Sequence, residues 1–268
     1  VKIFFMHIPK TAGSSFRRFL ERAVREAGGS VGERARDGIW SADSESYLSY
    51  EEFCSDAAAS YRASDLLSGH YPFHVTELLP PETLVVTVLR DPVERVVSHI
   101  KHQMQLERLA GTRVVEGDVN RFLANSRNEM FVQTIGNLTV KYFAGCDPPD
   151  AVSDATALSL EKAVANACRT QFGFADELAA FQRRLACGIL PAVASGSGSQ
   201  FSNRSPDRFA VADLTQRNLD LLSELTALDR VLDELLRGLL VARIALEEPA
   251  IEATRLGPQR GFHPPLSC

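Results

Sequence analysis

The segment Val1-Lys-Ile-Phe-Phe-Met-His-Ile-Pro-Lys-Thr-Ala-Gly-Ser-Ser-Phe-Arg-Arg-Phe-Leu20 decides how this chain folds. Residues 2–8 are apolar and aromatic and read as a buried strand, which Pro9 ends. Ser14 and Ser15 open a run in which Phe16, Phe19, Leu20 and Ala23 recur at helical spacing. A strand therefore passes through a tight turn, Lys10 to Gly13, into a helix. The first turn of a helix presents unpaired N–H groups and a partial positive charge, so anions bind there. Lys10 adds a full charge. Thr11, Ser14 and Ser15 add hydroxyl donors, and Gly13 is expected to let the backbone approach a ligand closely. The turn, with Ala12 at its centre, reads as a phosphate cradle. Its competitor is an ordinary strand–turn–helix with a solvated lysine.

Working outward, residues 83–90, Thr-Leu-Val-Val-Thr-Val-Leu-Arg, form the clearest strand. A continuous β-branched run of this kind predicts burial on both faces, as in a parallel sheet. Asp91-Pro92 then starts a helix, with Asp at the cap and Pro at the first helical position, running through Val96, Val97, Ile100 and Met104. A shorter apolar piece, Asp65–Gly69, ends at His70, and Pro72 breaks it. Gln171–Phe174 reads as a further short strand. Helices are predicted at 47–62, at 119–136 with a break near Asn125–Asn128, at Leu158–Cys168, at Asp176–Cys187, and near 213–225 and 227–247. Residues 28–46 and the Ser/Gly run Ser195–Ser199 read as loops. Strands alternating with helices give an α/β fold, a mainly parallel sheet flanked by helices with a helical C-terminal part. We read one domain over 1–256 and a poorly ordered tail over 257–268.

In open parallel sheets, ligands sit beyond the carboxyl ends of the strands. Lys10, His70 and Arg90 each follow a predicted strand, so they are expected on one edge. Arg90 with Ser98, eight residues on, makes a second anion site, because a guanidinium fork and a hydroxyl together grip a phosphate. The alternative is that Arg90 caps its helix or pairs with Glu94.

Composition sets bounds on partners. The chain has 268 residues, 45% hydrophobic, and a formal net charge of −5, which argues against a nucleic-acid binder. Five scattered cysteines, without metal spacing, point to reduced thiols and a cytoplasmic protein. No apolar run approaches a membrane span, and the chain opens in a strand rather than a signal peptide.

The string His-Ile-Pro-Lys-Thr-Ala-Gly-Ser-Ser-Phe, from His7 to Phe16, resembles the 5′-phosphosulfate loop of PAPS-dependent sulfotransferases, in the branch of the heparan and uronyl 2-O-sulfotransferases. It is not the nucleotide loop in which Lys follows the second Gly. Arg-Asp-Pro-Val-Glu-Arg, from Arg90, with Ser98 beyond it resembles the 3′-phosphate motif of the same family. The resemblance implies a P-loop-type sheet and 3′-phosphoadenosine 5′-phosphosulfate (PAPS) as donor, with no metal. It implies an acceptor hydroxyl on a sugar or small metabolite. Gly69-His70-Tyr-Pro-Phe is similar to the family's Gly-His segment, which implies His70 as the general base. From the residues themselves, Gly69 is expected to leave room for an acceptor to approach. Asn128 to Asn137 and Phe172–Glu177 fit its later pattern more loosely. Arg204, in Phe201–Pro206, falls where a late loop would close on the nucleotide.

Two other function classes compete. A P-loop-type kinase predicts a Gly-Lys-Ser/Thr element and a metal-binding Asp ending a strand, and neither is in place. A non-catalytic nucleotide-binding module would not need Lys10, His70 and Arg90 together. Of the other histidines, His7 reads as packed beside the cradle. His99 and His102 read as surface groups, with His102 the one able to face an acceptor. His74 and His263 carry no signal.

Overall fold

A computed structural model describes residues 2–31, 64–109, 119–125, 128–145, 155–188 and 209–255. Its elements within these are β1 (Ile3–Met6), α1 (Gly13–Glu26), β2 (Leu66–Gly69), β3 (Leu84–Leu89), α2 (Pro92–Leu109), α3 (Val119–Ala124), α4 (Glu129–Ile135), α5 (Leu138–Ala144), α6 (Ala157–Cys168), β4 (Gln171–Phe174), α7 (Leu178–Gly188), α8 (Gln216–Leu225) and α9 (Ala227–Arg255). Short 3-10 turns lie at Phe73–Leu78, Ala175–Glu177 and Val211–Asp213. The chain divides into two compact units, Val1–Asp233 and Glu234–Cys268, and the described part of the second is the continuation of α9. The helix expected at 47–62, the Ser195–Ser199 run and the tail from Gly257 lie outside the described residues.

The four strands form one all-parallel sheet in the order β2-β1-β3-β4. The register pairs Met6 with Gly69 and Phe5 with Val86, so the carboxyl ends of β1, β2 and β3 share one edge. This is the α/β class and the mainly parallel sheet that the alternation predicts.

Period-2 alternation along the strands sends Ile3, Phe5, Leu66, Val86 and Val88 to one face. There they meet Phe16, Leu20, Ala23 and Val24 of α1 and Leu178, Phe181 and Leu185 of α7. Phe16 sits at the centre, edge-on to Phe5 and stacked on Phe181, each at 5.2 Å. Burying an aromatic side chain of this kind contributes about 1.5–3 kcal/mol. Phe4, Met6, Leu67, Val85 and Leu89, on the opposite parity, are buried too. The sheet is thus covered on both faces, as the β-branched run of β3 predicts.

A second cluster forms around α2, where Val93, Val96, Val97, Ile100 and Met104 pack with Val119 and Phe122 of α3, Val132 and Ile135 of α4, and Leu222 of α8. The sequence break between α3 and α4 falls at Asn125–Asn128, as expected. Helix α5 was not foreseen from the sequence. Among the described residues no helix is long and apolar enough to cross a membrane.

Candidate functional site

The turn after β1 is built by backbone conformations that ordinary side chains avoid. Lys10 and Ala12 both adopt left-handed φ, at 68° and 71°. For L-residues this conformation costs roughly 1–2 kcal/mol each, and such outliers cluster at ligand sites. Thr11 between them is buried, and its hydroxyl donates to the Ile8 carbonyl at 2.8 Å. That bond braces the turn from inside, so the Thr11 hydroxyl serves the loop's shape.

Ala12 is the N-cap of α1, and an alanine has no side-chain group with which to cap it. Its first turn carries no acidic residue. Ser14 and Ser15 are half-buried in the same turn. Gly13 also makes room inside the protein. It does not supply the left-handed conformation, and the close approach it permits is that of a side chain. A Cβ built there would overlap the His7 imidazole.

Lys10 lies beside Arg90. Burial, and then the Arg90 charge, hold the Lys10 ammonium below its ordinary range. Among the described residues Lys10 has no hydrogen-bond or carboxylate partner. Two cations gathered at one end of a sheet, with the positive end of α1 following Lys10 in the chain, make a site that an anion would stabilise. Arg90 itself donates from Nε to Glu94 Oε2 at 3.1 Å, the local pairing weighed from the sequence. Arg90 is half-buried and Glu94 exposed, so this pair is weak, and through Nε alone it leaves the guanidinium Nη groups for a ligand. Asp91 caps α2 by accepting the Glu94 N–H at 2.8 Å, as predicted. Ser98 is half-buried in the second turn of α2, with no hydrogen-bond partner among the described residues. Arg204 lies outside the described residues.

His70 directly follows β2. Its Nδ1 is 2.6 Å from the His7 carbonyl oxygen, which can only accept, so Nδ1 carries the proton. In the neutral ring, Nε2 is then the basic nitrogen. The His7 and His70 rings lie 4.4 Å apart, tilted by 34°. Tyr142 of α5 donates its hydroxyl to the His70 carbonyl at 3.2 Å. The space beside Gly69 is not open to an acceptor, because a Cβ there would overlap the Tyr71 ring. The approach to His70 must come from another side.

The histidines of α2 correct the sequence reading. His99 is no surface group. Its Nδ1 is buried with no hydrogen-bond partner among the described residues, and its ring meets Phe131 edge-on at 5.5 Å. Burial, followed by the charges of Arg95, Lys10, His102 and His70, holds the His99 imidazolium well below the usual histidine range. His102, half-buried, is held down by burial and by Lys10. Both therefore share the electrostatic environment of Lys10. The signal was present in the sequence: Arg95, His99 and His102 recur at i, i+4 and i+7 on the helix that Arg90 introduces, one face of α2.

The sheet thus gathers His70, Lys10 and Arg90 in that order beyond the carboxyl ends of three adjacent strands, β2, β1 and β3. Among the described residues no group of three or more His, Cys, Asp or Glu side chains is placed to hold a metal ion. No protein-family model matches the chain, and no curated protein sequence matches it.

Proposed function

We propose that the chain is a PAPS-dependent O-sulfotransferase, acting on a hydroxyl of a sugar or small metabolite. The observation that carries this reading is the row His70, Lys10, Arg90 on one edge of a parallel sheet, with the N-terminus of α1 three residues after Lys10. A base and two separate cation sites are what a donor with two phosphate positions and a protonated acceptor require. The strand–loop–helix unit at the sheet's centre is compatible with a P-loop-type fold, and the two sequence motifs that resemble the family occupy the two loops in question.

In this reading the acceptor oxygen attacks sulfur. The new O–S bond forms as the bond from sulfur to the 5′-phosphate oxygen breaks, and adenosine 3′,5′-bisphosphate leaves. The acceptor's proton passes to Nε2 of His70, the nitrogen left basic by the bond from Nδ1–H to the His7 carbonyl. Lys10 and the N–H groups opening α1 offset the charge that builds on the departing phosphate. Arg90, with Ser98 one helical turn and a half into α2, holds the 3′-phosphate.

The test is ligand-dependent melting. A ligand that binds only the folded chain raises its melting temperature by mass action. Adenosine 3′,5′-bisphosphate is expected to raise it more than AMP, ADP or ATP with magnesium. Equal or larger stabilisation by ATP with magnesium would overturn the reading in favour of a kinase.

A further inference from the structure

We propose that His7 is the positioning residue of His70, fixing its tautomer and tying it to the anion loop. His7 grips the chain around His70 from two sides. Its N–H donates to the Gly69 carbonyl at 3.0 Å, and its carbonyl accepts Nδ1–H of His70 at 2.6 Å. The first bond extends the β1–β2 ladder by one residue, so the acceptor carbonyl is held by the sheet itself. The His7 side chain then closes the gap. Its ring is stacked on Phe5 at 5.1 Å and 16°, tilted over His70 at 4.4 Å, and pressed against the first residue of α1, where a Cβ at Gly13 would overlap it. Only 5% of His7 is exposed.

These contacts have a chemical consequence. A free imidazole exchanges between two neutral tautomers, and only one of them leaves Nε2 able to take a proton. A backbone carbonyl anchored in a sheet selects the Nδ1–H form, and the His7 ring keeps His70 seated on that carbonyl. The same ring touches the first residue of the helix that would receive the phosphate, so base and anion loop share one packed wall. Among the described residues, the titratable groups that touch His70 or feel its charge include His7 itself, His99 from α2 and Tyr142 from α5, whose hydroxyl binds the His70 carbonyl.

The role assigned to His7 rests on the sulfotransferase reading for its purpose, but its test needs no acceptor. Nitrogen-15 NMR of histidine-labelled protein reports the tautomer of each ring. In the parent chain neutral His70 is expected as the Nδ1–H form. His7→Ala is expected to lose that single tautomer and to move the His70 titration midpoint. His7→Phe, which keeps a ring between Phe5, His70 and Gly13, is expected to restore both. An Nε2–H tautomer in the parent overturns the proposal, and it does so even if His7→Ala fails to fold. So does an unchanged tautomer and midpoint in His7→Ala. A separate titration with adenosine 3′,5′-bisphosphate distinguishes the two readings. Absence of nucleotide binding by the parent removes the sulfotransferase, while the tautomer still judges His7.

Discussion

Asn137 and Asp229 cap each other's helices. Asn137, the residue before α5, accepts with Oδ1 the N–H groups of Leu228 and Asp229, at 3.0 and 3.1 Å, in the first turn of α9. Asp229 in return accepts the N–H groups of Thr139 and Val140, at 3.2 and 2.8 Å, in the first turn of α5. Two helix N-termini, each with its unpaired donors, meet nose to nose and are satisfied by side chains exchanged between them. Arg95 of α2 closes the junction, donating to the Ile135 carbonyl at 2.6 Å and approaching Asp229 at 3.5 Å. Arg95 is fully buried and Asp229 nearly so. Burial pushes the Asp229 carboxyl up, and Arg95 with the α5 N–H groups pulls it back.

This junction predicts an asymmetric mutational series. Asp229→Asn strips the charge from a buried pair and leaves Arg95 uncompensated, which costs about 3–5 kcal/mol. Asn137→Ala loses one cap and costs about 1 kcal/mol. Arg95→Met/Asp229→Asn removes both charges and is expected to cost less than the sum of its single variants, because neither is left alone. Urea denaturation of the parent, Asp229→Asn, Arg95→Met, Asn137→Ala and the double variant measures this. Additive losses for Arg95 and Asp229 would show that the two charges do not interact.

Gly13 offers a reversal of sign. Alanine in place of glycine inside a helix ordinarily stabilises by about 0.5–1 kcal/mol. At Gly13 the added methyl would overlap the His7 ring, which Phe5 and His70 hold from two other sides. Overpacking of this kind costs about 1–3 kcal/mol and outweighs the propensity gain. Gly13→Ala is therefore expected to destabilise, and His7→Ala in the same chain to recover part of the loss. A stabilised Gly13→Ala, in a chemical denaturation series, would show that His7 does not occupy that space.

The sequence made the sheet and its loops readable because local pattern and tertiary burial agree there. Apolar runs at Ile3–Met6 and Leu84–Leu89, each followed by a turn and a helix start, admit little besides parallel strands, and the side chains after them must fall on one edge. Helix α5 was not legible, because what starts it is remote. Its N-terminal N–H groups are satisfied by Asp229, 90 residues away, and the segment's own Thr139, Val140 and Tyr142 favour strand over helix. The histidines of α2 were misread for a related reason. A helix that follows a sheet edge is expected to be half solvated, whereas α2 is packed by α3, α4 and α8 and its polar face turns to the Lys10 environment. Nor does the cradle's sequence show that its backbone strain sits on Lys10 and Ala12, or that its glycine makes room for a ring, which follows from packing against His7.

The last prediction follows from His99. In the unfolded chain its imidazole titrates near the ordinary value of about 6.5. In the folded chain burial and the charges of Arg95, Lys10, His102 and His70 hold the midpoint well below that. Between the two values the unfolded state binds a proton that the folded state does not. Stability therefore rises with pH across this window, and it is lost as the pH falls below about 6.5. One such group gives a slope of up to about 1.4 kcal/mol per pH unit, and His102, shifted the same way, adds to it. His99→Leu removes the titration and also the buried Nδ1 that lacks a partner among the described residues, so at pH 7 it is expected to be close to neutral or mildly stabilising. The measurement is urea denaturation of parent and His99→Leu at half-unit steps from pH 7.5 to 5. The stability difference is expected to open steadily in favour of the variant below pH 6.5. Curves that run parallel across that range would show that His99 is as readily protonated in the folded chain as in the unfolded one.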